Sequence, residues 1–250
     1  MLIQEVGVDS TKQRLVLAAM RLFAEKGYQS TSVSDILRAA DANAGSLYHV
    51  FPTKQDLLVE VLGVYRDGIA PMLLEPAWAG VADPIERVFA LLGAYRGMLQ
   101  ATDCLYGCPI GSLALELHEP DPEVRQALAV NFDGWVAHVR GCFEAARERL
   151  AGADPHRLAV LTLSVMEGGV MQSRTHRSLD AFDIGVGQLR DYLDRLEQAA
   201  SAGIGSPRPG GPTHETLFVR PGPRPRRRRR CIRHGQVSRR TRQLDAGRPG

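Results

Sequence analysis

The sequence predicts an all-α fold, because apolar residues recur at helical spacing after clear helix-start signals and no segment alternates convincingly as a strand does. Three Asp-Pro pairs, Asp83-Pro84, Asp121-Pro122 and Asp154-Pro155, each precede such an apolar pattern. Aspartate accepts hydrogen bonds from free backbone N–H groups, and proline at the first helical position loses no hydrogen bond. The last helix is expected to begin near Asp180, and the final two helices to carry long apolar faces.

The first 60 residues predict four short helices. Each is expected to begin at a side chain that accepts hydrogen bonds from the first turn: Ser10, Ser32, Asn43 and Thr53. The helices after Ser32 and Asn43 are separated only by Asp41-Ala42, which predicts a helix-turn-helix. In such a motif the second helix enters the major groove of DNA while the first helix braces it.

These residues also carry a resemblance to a known family. Residues 11–62 resemble the N-terminal DNA-binding domain of TetR/AcrR-family repressors, through the runs LFAEKGY (22–28), TSVSDI (31–36), GSLYHVF (45–51) and KQDLL (54–58). The resemblance implies a helix-turn-helix DNA-binding domain over residues 9–69, with the motif at about 32–51. It also implies an α-helical ligand-binding and dimerisation domain over residues 70–200.

The resemblance further implies which residues contact DNA. The expected set lies on the helix-turn-helix and at the start of the fourth helix: Ser32, Asn43, Ala44, Gly45, Ser46, Tyr48, His49 and Lys54. Within it, Tyr48, His49 and Lys54 are expected at phosphates, and residues 43–46 lie in the part of the recognition helix nearest the base edges.

The expected recognition helix carries no lysine or arginine. Ala44 stands where many members of the family have a polar or basic side chain, and Asp41 stands where the family often has glycine. Residues 1–62 hold six basic and seven acidic residues, a net charge of −1. Bidentate readout of guanine by arginine is therefore unavailable from this helix. We expect readout of phosphates, apolar groups and DNA shape, with a shallow salt dependence for residues 1–200.

The second half contains an unusual cysteine segment, Cys104–Glu116. It resembles a GC-x-x-G-x-L-A-x-E stretch of one branch of the same family, in which some members are thought to sense electrophiles or oxidants through cysteine. The resemblance favours Cys108 as the sensing thiol, with Cys104 as the thiol that resolves it. Two alternatives stay open: inert buried thiols, and a metal site that adds His118 or His138.

A ligand cavity in this half is expected to combine apolar walls with a few polar groups. The candidates for ligand binding or sensing are Cys104, Cys108, Trp135, His138, Met166 and Gln172. An inducer is expected to shift the fourth helix, and so to change the separation of two recognition helices from the ~34–36 Å between successive major grooves.

Charge divides the chain into an acidic body and a basic tail. Residues 201–250 hold 13 arginines and two acidic residues, a net charge of +11, whereas residues 1–200 have a net charge of −8. The tail is rich in glycine and proline and poor in apolar residues, so the sequence predicts disorder there. The tail either adds non-specific attraction to phosphates or is adventitious, and its removal is expected to leave sequence specificity intact.

The sequence shows no secretory signal, no membrane-length apolar run and no short catalytic signature, and it predicts no cofactor and no bound metal. Reduced cysteines and a cytoplasmic, nucleoid-associated protein are expected. The predicted function is that of a homodimeric, non-enzymatic repressor that a small molecule or electrophile releases from a palindromic double-stranded DNA operator, with no membrane partner. The alternatives are a helix-turn-helix scaffold with weak or lost DNA binding that binds small molecules, and an α-helical enzyme with acidic residues in catalysis: Glu116, Glu119, Glu167 or Asp180.

Overall fold

A computed structural model describes residues 10–203 of the 250-residue chain. The described residues form ten α-helices and no strand, which confirms the predicted all-α fold. In chain order these are α1 (Thr11–Lys26), α2 (Val33–Ala39), α3 (Ala44–Val50), α4 (Lys54–Ile69), α5 (Glu75–Trp78), α6 (Pro84–Ala101), α7 (Pro109–Glu116), α8 (Pro122–Ala145), α9 (Pro155–His176) and α10 (Asp180–Ser201). From residue 204 onward, the predicted basic tail lies outside the described residues.

Helices begin where the capping chemistry of the sequence predicts. Ser10, Ser32 and Thr53 each complete a capping box, in which the hydroxyl accepts from the third helical N–H and that residue's side chain accepts in return. Asn43 precedes α3, and its Oδ1 accepts from the Ser46 N–H at 2.8 Å. The aspartates of the three Asp-Pro pairs likewise accept backbone N–H groups at the starts of α6, α8 and α9.

Helical structure also occurs where the sequence predicts none. After α4 the chain continues through a π-helical turn, Ala70–Leu74, directly into α5. Each of these two segments has a proline at its second position, Pro71 and Pro76, inside a continuous helical run where proline donates no hydrogen bond to the preceding turn. Helix α7 instead begins with Pro109 at its first position, directly after Cys108, where the missing N–H costs no hydrogen bond. These short segments lack the long apolar periodicity by which the sequence predicts the other helices.

Two hydrophobic clusters form the core of the described residues. The C-terminal cluster joins α6, α8, α9 and α10 around fully buried side chains such as Phe143 and Phe182. The N-terminal cluster joins α1, α2, α3 and α4, and it also contains four residues from α7 and the start of α8: Ile110, Leu113, Val124 and Leu128. The domain limits at 9–69 and 70–200 stay a prediction, but packing connects α7 to the N-terminal helices.

Close contacts hold α9 to α10 and α4 to α8. Gly169 lies so near α10 that a Cβ there would come within 2.9 Å of the Phe182 ring. A Cβ at the neighbouring Gly168 would meet nothing within 4 Å. A Cβ at Gly185 of α10 would lie 3.3 Å from Val165 Cγ1, so Gly169 and Gly185 both lie at close approaches between these two helices. Asn131 of α8 donates through Nδ2 to the carbonyl oxygen of Leu62 in α4, at 3.0 Å.

The turn between α2 and α3 is held from outside by Arg14 of α1. Asp41 in this turn has a φ of +47°, in the left-handed region where glycine is the least strained residue. The Arg14 guanidinium donates to the carbonyl oxygens of Ala40 and Asp41, at 3.0 and 3.3 Å. These bonds satisfy carbonyl groups that a helix end leaves without intrahelical partners. The chain thus accommodates aspartate at a position that favours glycine.

Substitution of Asp41 tests the strain at this turn. Asp41→Gly is expected to keep the free energy of unfolding or raise it by up to about 1 kcal/mol, because glycine relieves the left-handed strain. Asp41→Val is expected to lower it by about 1–2 kcal/mol, since a β-branched side chain opposes that region. Urea denaturation followed by circular dichroism measures both values, and equal stability of the two variants would contradict the account.

Candidate DNA-binding surface and effector cleft

Helix α3 divides its residues between the core and solvent. Leu47 is fully buried in the N-terminal cluster, whereas Ala44, Gly45, Tyr48 and His49 are exposed. Tyr48 keeps 52% of its surface accessible, although a tyrosine is usually at least half buried. The structure therefore brings these four predicted DNA contacts together on one exposed surface.

Two other predicted DNA contacts are already hydrogen-bonded within the chain. The Ser32 hydroxyl accepts from the Asp35 N–H at 3.0 Å and donates to Asp35 Oδ2 at 2.8 Å. Hydrogen bonding by Ser32 holds the pKa of Asp35 below its ordinary value, so a carboxylate stands beside the Ser32 hydroxyl. Asn43 Oδ1 caps α3 through Ser46, and paired acceptor and donor readout of adenine requires Asn43 to leave that cap.

Lys54, the first residue of α4, is attached to the loop between α1 and α2. Its Nζ donates to the carbonyl oxygen of Tyr28 and lies 4.1 Å from the centroid of the Tyr28 ring. Burial lowers the pKa of Lys54, and the nearby Glu116 carboxylate opposes that shift. The ammonium group of Lys54 thus already links α4 to the loop between α1 and α2. The phosphate contact that the sequence predicts for Lys54 must use the N–H donors that this link leaves free.

A cleft of about 250 Å³ lies between α7 and α9. Its lining combines a thiol, a carboxyl group and guanidinium groups with apolar side chains: Cys108, Gly111, Ser112, Leu115, Glu167, Val170, Met171, Arg174, Thr175 and Arg177. Arg174 of α9 donates through Nη1 to Ser112 Oγ of α7 at 3.1 Å. Arg177 donates through Nη1 to the carbonyl oxygen of Cys104 at 2.8 Å. This α7–α9 cleft is the candidate effector site.

Glu167 is the unusual group of the α7–α9 cleft. Its Oε1 is buried and has no hydrogen-bond partner among the described residues. Burial raises the pKa of Glu167. Burial also raises the pKa of the Cys108 thiol, and the charge of the neighbouring Glu167 raises it further. Since the thiolate is the reactive form of cysteine, these surroundings oppose spontaneous reactivity of Cys108. They also leave a carboxyl oxygen that lacks a donor.

The remaining predicted ligand residues do not line this cleft. Trp135 lies in the C-terminal cluster, where its Nε1–H donates to a buried tyrosine hydroxyl at 3.2 Å. Met166 is fully buried in the same cluster, while His138 and Gln172 are exposed. Cys104 is buried beside a separate cleft of about 570 Å³. A ligand role for these five residues stays a prediction.

Neither a cluster of metal-ligating side chains nor a membrane-spanning helix occurs in the part of the chain that the structure describes. Within residues 10–203, no three histidine, cysteine or acidic side chains come together as metal ligands. Each helix in that range is too short or too polar to span a bilayer.

Comparisons with known proteins match both halves of the chain. The family model for bacterial regulatory proteins of the tetR family matches residues 15–61. The model for the C-terminal domain of LmrA/YxaF-like transcriptional regulators matches residues 84–186. An uncharacterized HTH-type transcriptional regulator of Mycobacterium tuberculosis is 34% identical over 196 residues, which cover 74% of this chain and 95% of that protein. The chain belongs to the TetR family of transcriptional regulators.

Two further proteins are similar to this chain over most of their own length. The HTH-type transcriptional repressor DhaR of Mycobacterium sp. strain GP1 is 25% identical over 175 residues, covering 69% of this chain and 86% of DhaR. The crystal structure of regulatory protein TetR from Rhodobacter sphaeroides has a TM-score of 0.66 at 26% identity, covering 73% of this chain and 98% of that one. This TetR-family chain is therefore a DNA-binding transcriptional regulator.

The sequence does not predict the α7–α9 cleft of this TetR-family regulator. Glu167 and Arg174 are polar positions on a long helix, and nothing in the sequence marks them as neighbours of Cys108. The signal that points to them is the pair Gly107 and Gly111, because glycine permits close approach of another element. In the structure a Cβ at Gly111 would overlap the Glu167 carboxyl group, and a Cβ at Gly107 would come within 2.6 Å of Arg174 Cδ.

The buried carboxyl group of Glu167 predicts a pH-dependent stability. Because its pKa is higher in the folded chain than in the unfolded chain, the folded state holds the proton more tightly. Stability is therefore expected to fall as pH rises from the unfolded pKa toward the raised folded pKa. Glu167→Gln is expected to remove that loss as the pH is raised from about 4, the ordinary range of a carboxyl pKa.

Urea denaturation of wild type and Glu167→Gln across this pH range measures the difference. The exposed Glu25→Gln serves as the matched control, because it removes the same charge far from the cleft-lining residues. A wild-type pH profile that runs parallel to that of Glu167→Gln would contradict the prediction.

Proposed function

We propose that this regulator is a homodimeric repressor without enzymatic activity, which binds a palindromic operator and is released from it by a small molecule. The observation that carries the DNA-binding step is the exposed face of α3 opposite the buried Leu47. This arrangement allows α3 to enter a major groove while α1 and α2 hold it in place. The related repressor DhaR supports repression as the direction of regulation.

The chemistry of the surface favours phosphate and shape readout over base hydrogen bonding. Helix α3 contains no lysine or arginine, and the oxygens of Ser32 and Asn43 serve as helix caps. The Tyr48 hydroxyl and the His49 imidazole remain available as donors for phosphate oxygens. In a two-fold dimer each of these contacts occurs twice, in major grooves ~34–36 Å apart.

The dimer interface is proposed on α9 and α10. These helices leave large apolar side chains exposed: Val160, Leu161, Met171, Ile184 and Tyr192. Ile184 keeps 67% of its surface in solvent. Pairing of two copies removes such surface from water, which stabilises the dimer by about 25 cal/mol per Å² of apolar area. A two-fold axis sets the same helix pair of each copy against its counterpart.

The effector site is proposed in the α7–α9 cleft. Glu167 Oε1 lacks a donor there, and Arg174 and Arg177 supply guanidinium groups that bind carboxylates strongly. These groups suit a small polar molecule that carries a hydrogen-bond donor at one end and a carboxylate at the other. A non-covalent inducer agrees with the raised pKa of the Cys108 thiol, whereas an electrophile requires conditions that favour the thiolate.

A second candidate function is that of a small-molecule-binding scaffold with weak or lost DNA binding. The net charge of −1 over residues 1–62 favours it, because attraction to phosphates supplies most non-specific DNA affinity. A gel shift with the DNA upstream of the chain's own gene separates the two candidates. Specific retardation at low salt supports the repressor, whereas ligand binding without retardation supports the scaffold.

Tyr48 offers a direct test of the proposed phosphate contact. Tyr48→Phe removes only the hydroxyl and is expected to lower specific operator affinity about tenfold or more, since a hydrogen bond to a charged group contributes about 1.5–3 kcal/mol. Tyr106→Phe is the matched control, because Tyr106 is also exposed but lies outside α3. Fluorescence anisotropy measures both affinities, and an equal effect of the two substitutions would contradict the contact.

The salt dependence of operator binding tests the readout mode. For a chain ending at Gly203, the log–log slope is expected to be no steeper than about −8, because each neutralised phosphate contributes about −0.9. Anisotropy titrations at several salt concentrations give the slope. A steeper value would show that the body contacts more phosphates than its charge distribution predicts.

Ile184 tests the proposed dimer interface. Ile184→Arg is expected to convert a dimer into a monomer, because two-fold symmetry brings two buried charges into the interface at once. Met72→Arg is the control, since Met72 is an exposed apolar residue outside α9 and α10. Sedimentation equilibrium gives the mass of each variant. An unchanged dimer mass for Ile184→Arg would place the interface elsewhere.

A further inference from the structure

Helix α7 contacts both the DNA-binding helices and the α7–α9 cleft. Its Ile110 and Leu113 are buried in the N-terminal cluster together with residues of α1 to α4. Its Gly111, Ser112 and Leu115 line the cleft. The groups that face the cleft and those that pack on the DNA-binding helices therefore lie on different faces of the same short helix, so α7 cannot move at one surface without moving at the other.

The C-terminal end of α7 is bonded to the loop between α1 and α2. Glu116 Oε2 accepts from the Tyr28 N–H at 2.9 Å, and Glu116 Oε1 accepts from the Gln29 N–H at 2.7 Å. The preceding Gly27 has a φ of +85°, and a Cβ there would lie 2.9 Å from both carboxylate oxygens. Glycine at this position thus allows one carboxylate to satisfy two backbone amides of the loop.

The same loop is in contact with the start of α4. Lys54 Nζ donates to the Tyr28 carbonyl oxygen and lies over the Tyr28 ring. Lys54 is the first residue of α4, four residues after α3 ends. Hydrogen bonds therefore connect Glu116 to Tyr28, and Tyr28 to Lys54 at the start of α4.

Beside the cleft, Gly111 of α7 and Gly107 just before it approach α9 too closely to admit a Cβ. A Cβ at Gly111 would overlap the Glu167 carboxyl group, and a Cβ at Gly107 would lie 3.0 Å from Val170 Cγ1 and 2.6 Å from Arg174 Cδ. Interiors packed to this degree do not deform continuously, so an occupant that extends beyond the existing cleft toward Gly107 or Gly111 must separate α7 from α9.

We propose that Glu116 is a positioning residue for DNA binding, through which α7 transmits occupancy of the cleft to the loop between α1 and α2 and to Lys54. The inference rests on the proposed function of the α7–α9 cleft as the effector site. It adds a path that is separate from the contact between α8 and α4, where Asn131 bonds to the Leu62 carbonyl oxygen. Coupling of this kind requires that both sites bias the same element, which here is α7.

The test uses the full chain, and a larger side chain introduced into the cleft takes the place of the unidentified ligand. Gly111→Leu inserts a branched group into the cleft. Gly141→Leu is the matched control, because a Cβ at Gly141 would meet nothing within 4 Å. Hydrogen exchange of the Tyr28 and Gln29 amides, resolved by NMR, is the first readout. We expect at least tenfold faster exchange of both amides in Gly111→Leu and less than a twofold change in Gly141→Leu. Unchanged exchange in Gly111→Leu would overturn the proposal.

Operator affinity is the second readout and separates coupling from simple stability. Gly111→Leu is expected to weaken operator binding at least tenfold in the wild-type background and less than twofold in a Glu116→Gln background. In an Asn131→Ala background the tenfold loss is expected to remain. An equal loss with and without Glu116→Gln would show that the signal travels by another path and would reject the role of Glu116.

These two readouts distinguish failure of the proposed repressor function from failure of the proposed link through α7. If the chain binds no operator, the proposed repressor function fails, and the exchange of the Tyr28 and Gln29 amides alone decides whether α7 links cleft and loop. If Gly111→Leu does not fold by circular dichroism, Ser112→Phe supplies the same wedge from the next residue of the cleft wall. The same exchange and affinity thresholds then apply to that variant.

Discussion

The placement of α7 between two packed surfaces is the constraint on which the rest of this structure depends. Apolar residues of α7 complete the core beneath the helix-turn-helix, while its small residues face α9 across the candidate effector cleft. Glycine makes both approaches feasible, since a side chain at Gly111 would occupy the position of the Glu167 carboxyl group and one at Gly27 would crowd Glu116. The DNA-binding helices and the cleft are therefore parts of one packed body. Only the short helix α7 lies between a structural change in the cleft and the DNA-binding helices.

Three polar side chains that are expected to contact DNA already form hydrogen bonds within the folded chain. Ser32 and Asn43 cap α2 and α3, and Lys54 holds the loop that Glu116 also binds. Few side chains remain free to read base edges, which agrees with a recognition helix that has no lysine or arginine. Specific binding then depends on accurate placement of α3, which is the property that we propose α7 to control. An effector that moves α7 needs only a small displacement to weaken such a surface.

The features that could be predicted from the sequence are those encoded by neighbouring residues. The starts of α1 to α4 follow from a capping side chain and a partner three residues later, and the left-handed φ of Asp41 agrees with the glycine that the family often has at this position. The cleft and the Glu116 contact could not be predicted, because they join residues far apart in the chain, such as Glu116 with Tyr28 and Glu167 with Gly111. In the sequence Glu116 is visible as the last residue of the GC-x-x-G-x-L-A-x-E resemblance, and Glu167 only as an acidic residue without a partner. Short helices that begin at proline, such as α7, also lack the periodicity that reveals longer ones.

Hydroxyl-radical footprinting of the full chain on the DNA upstream of its own gene tests the central claim most directly, because it reports where each recognition helix meets the backbone. A pair of α3 helices held in successive major grooves predicts two protected backbone regions centred about 10–10.5 base pairs apart. Filling of the cleft is expected to remove protection from both regions together, because α7 is displaced in each copy of the dimer. Protection of a single region, or protection of two regions that survives an occupied cleft, would contradict it.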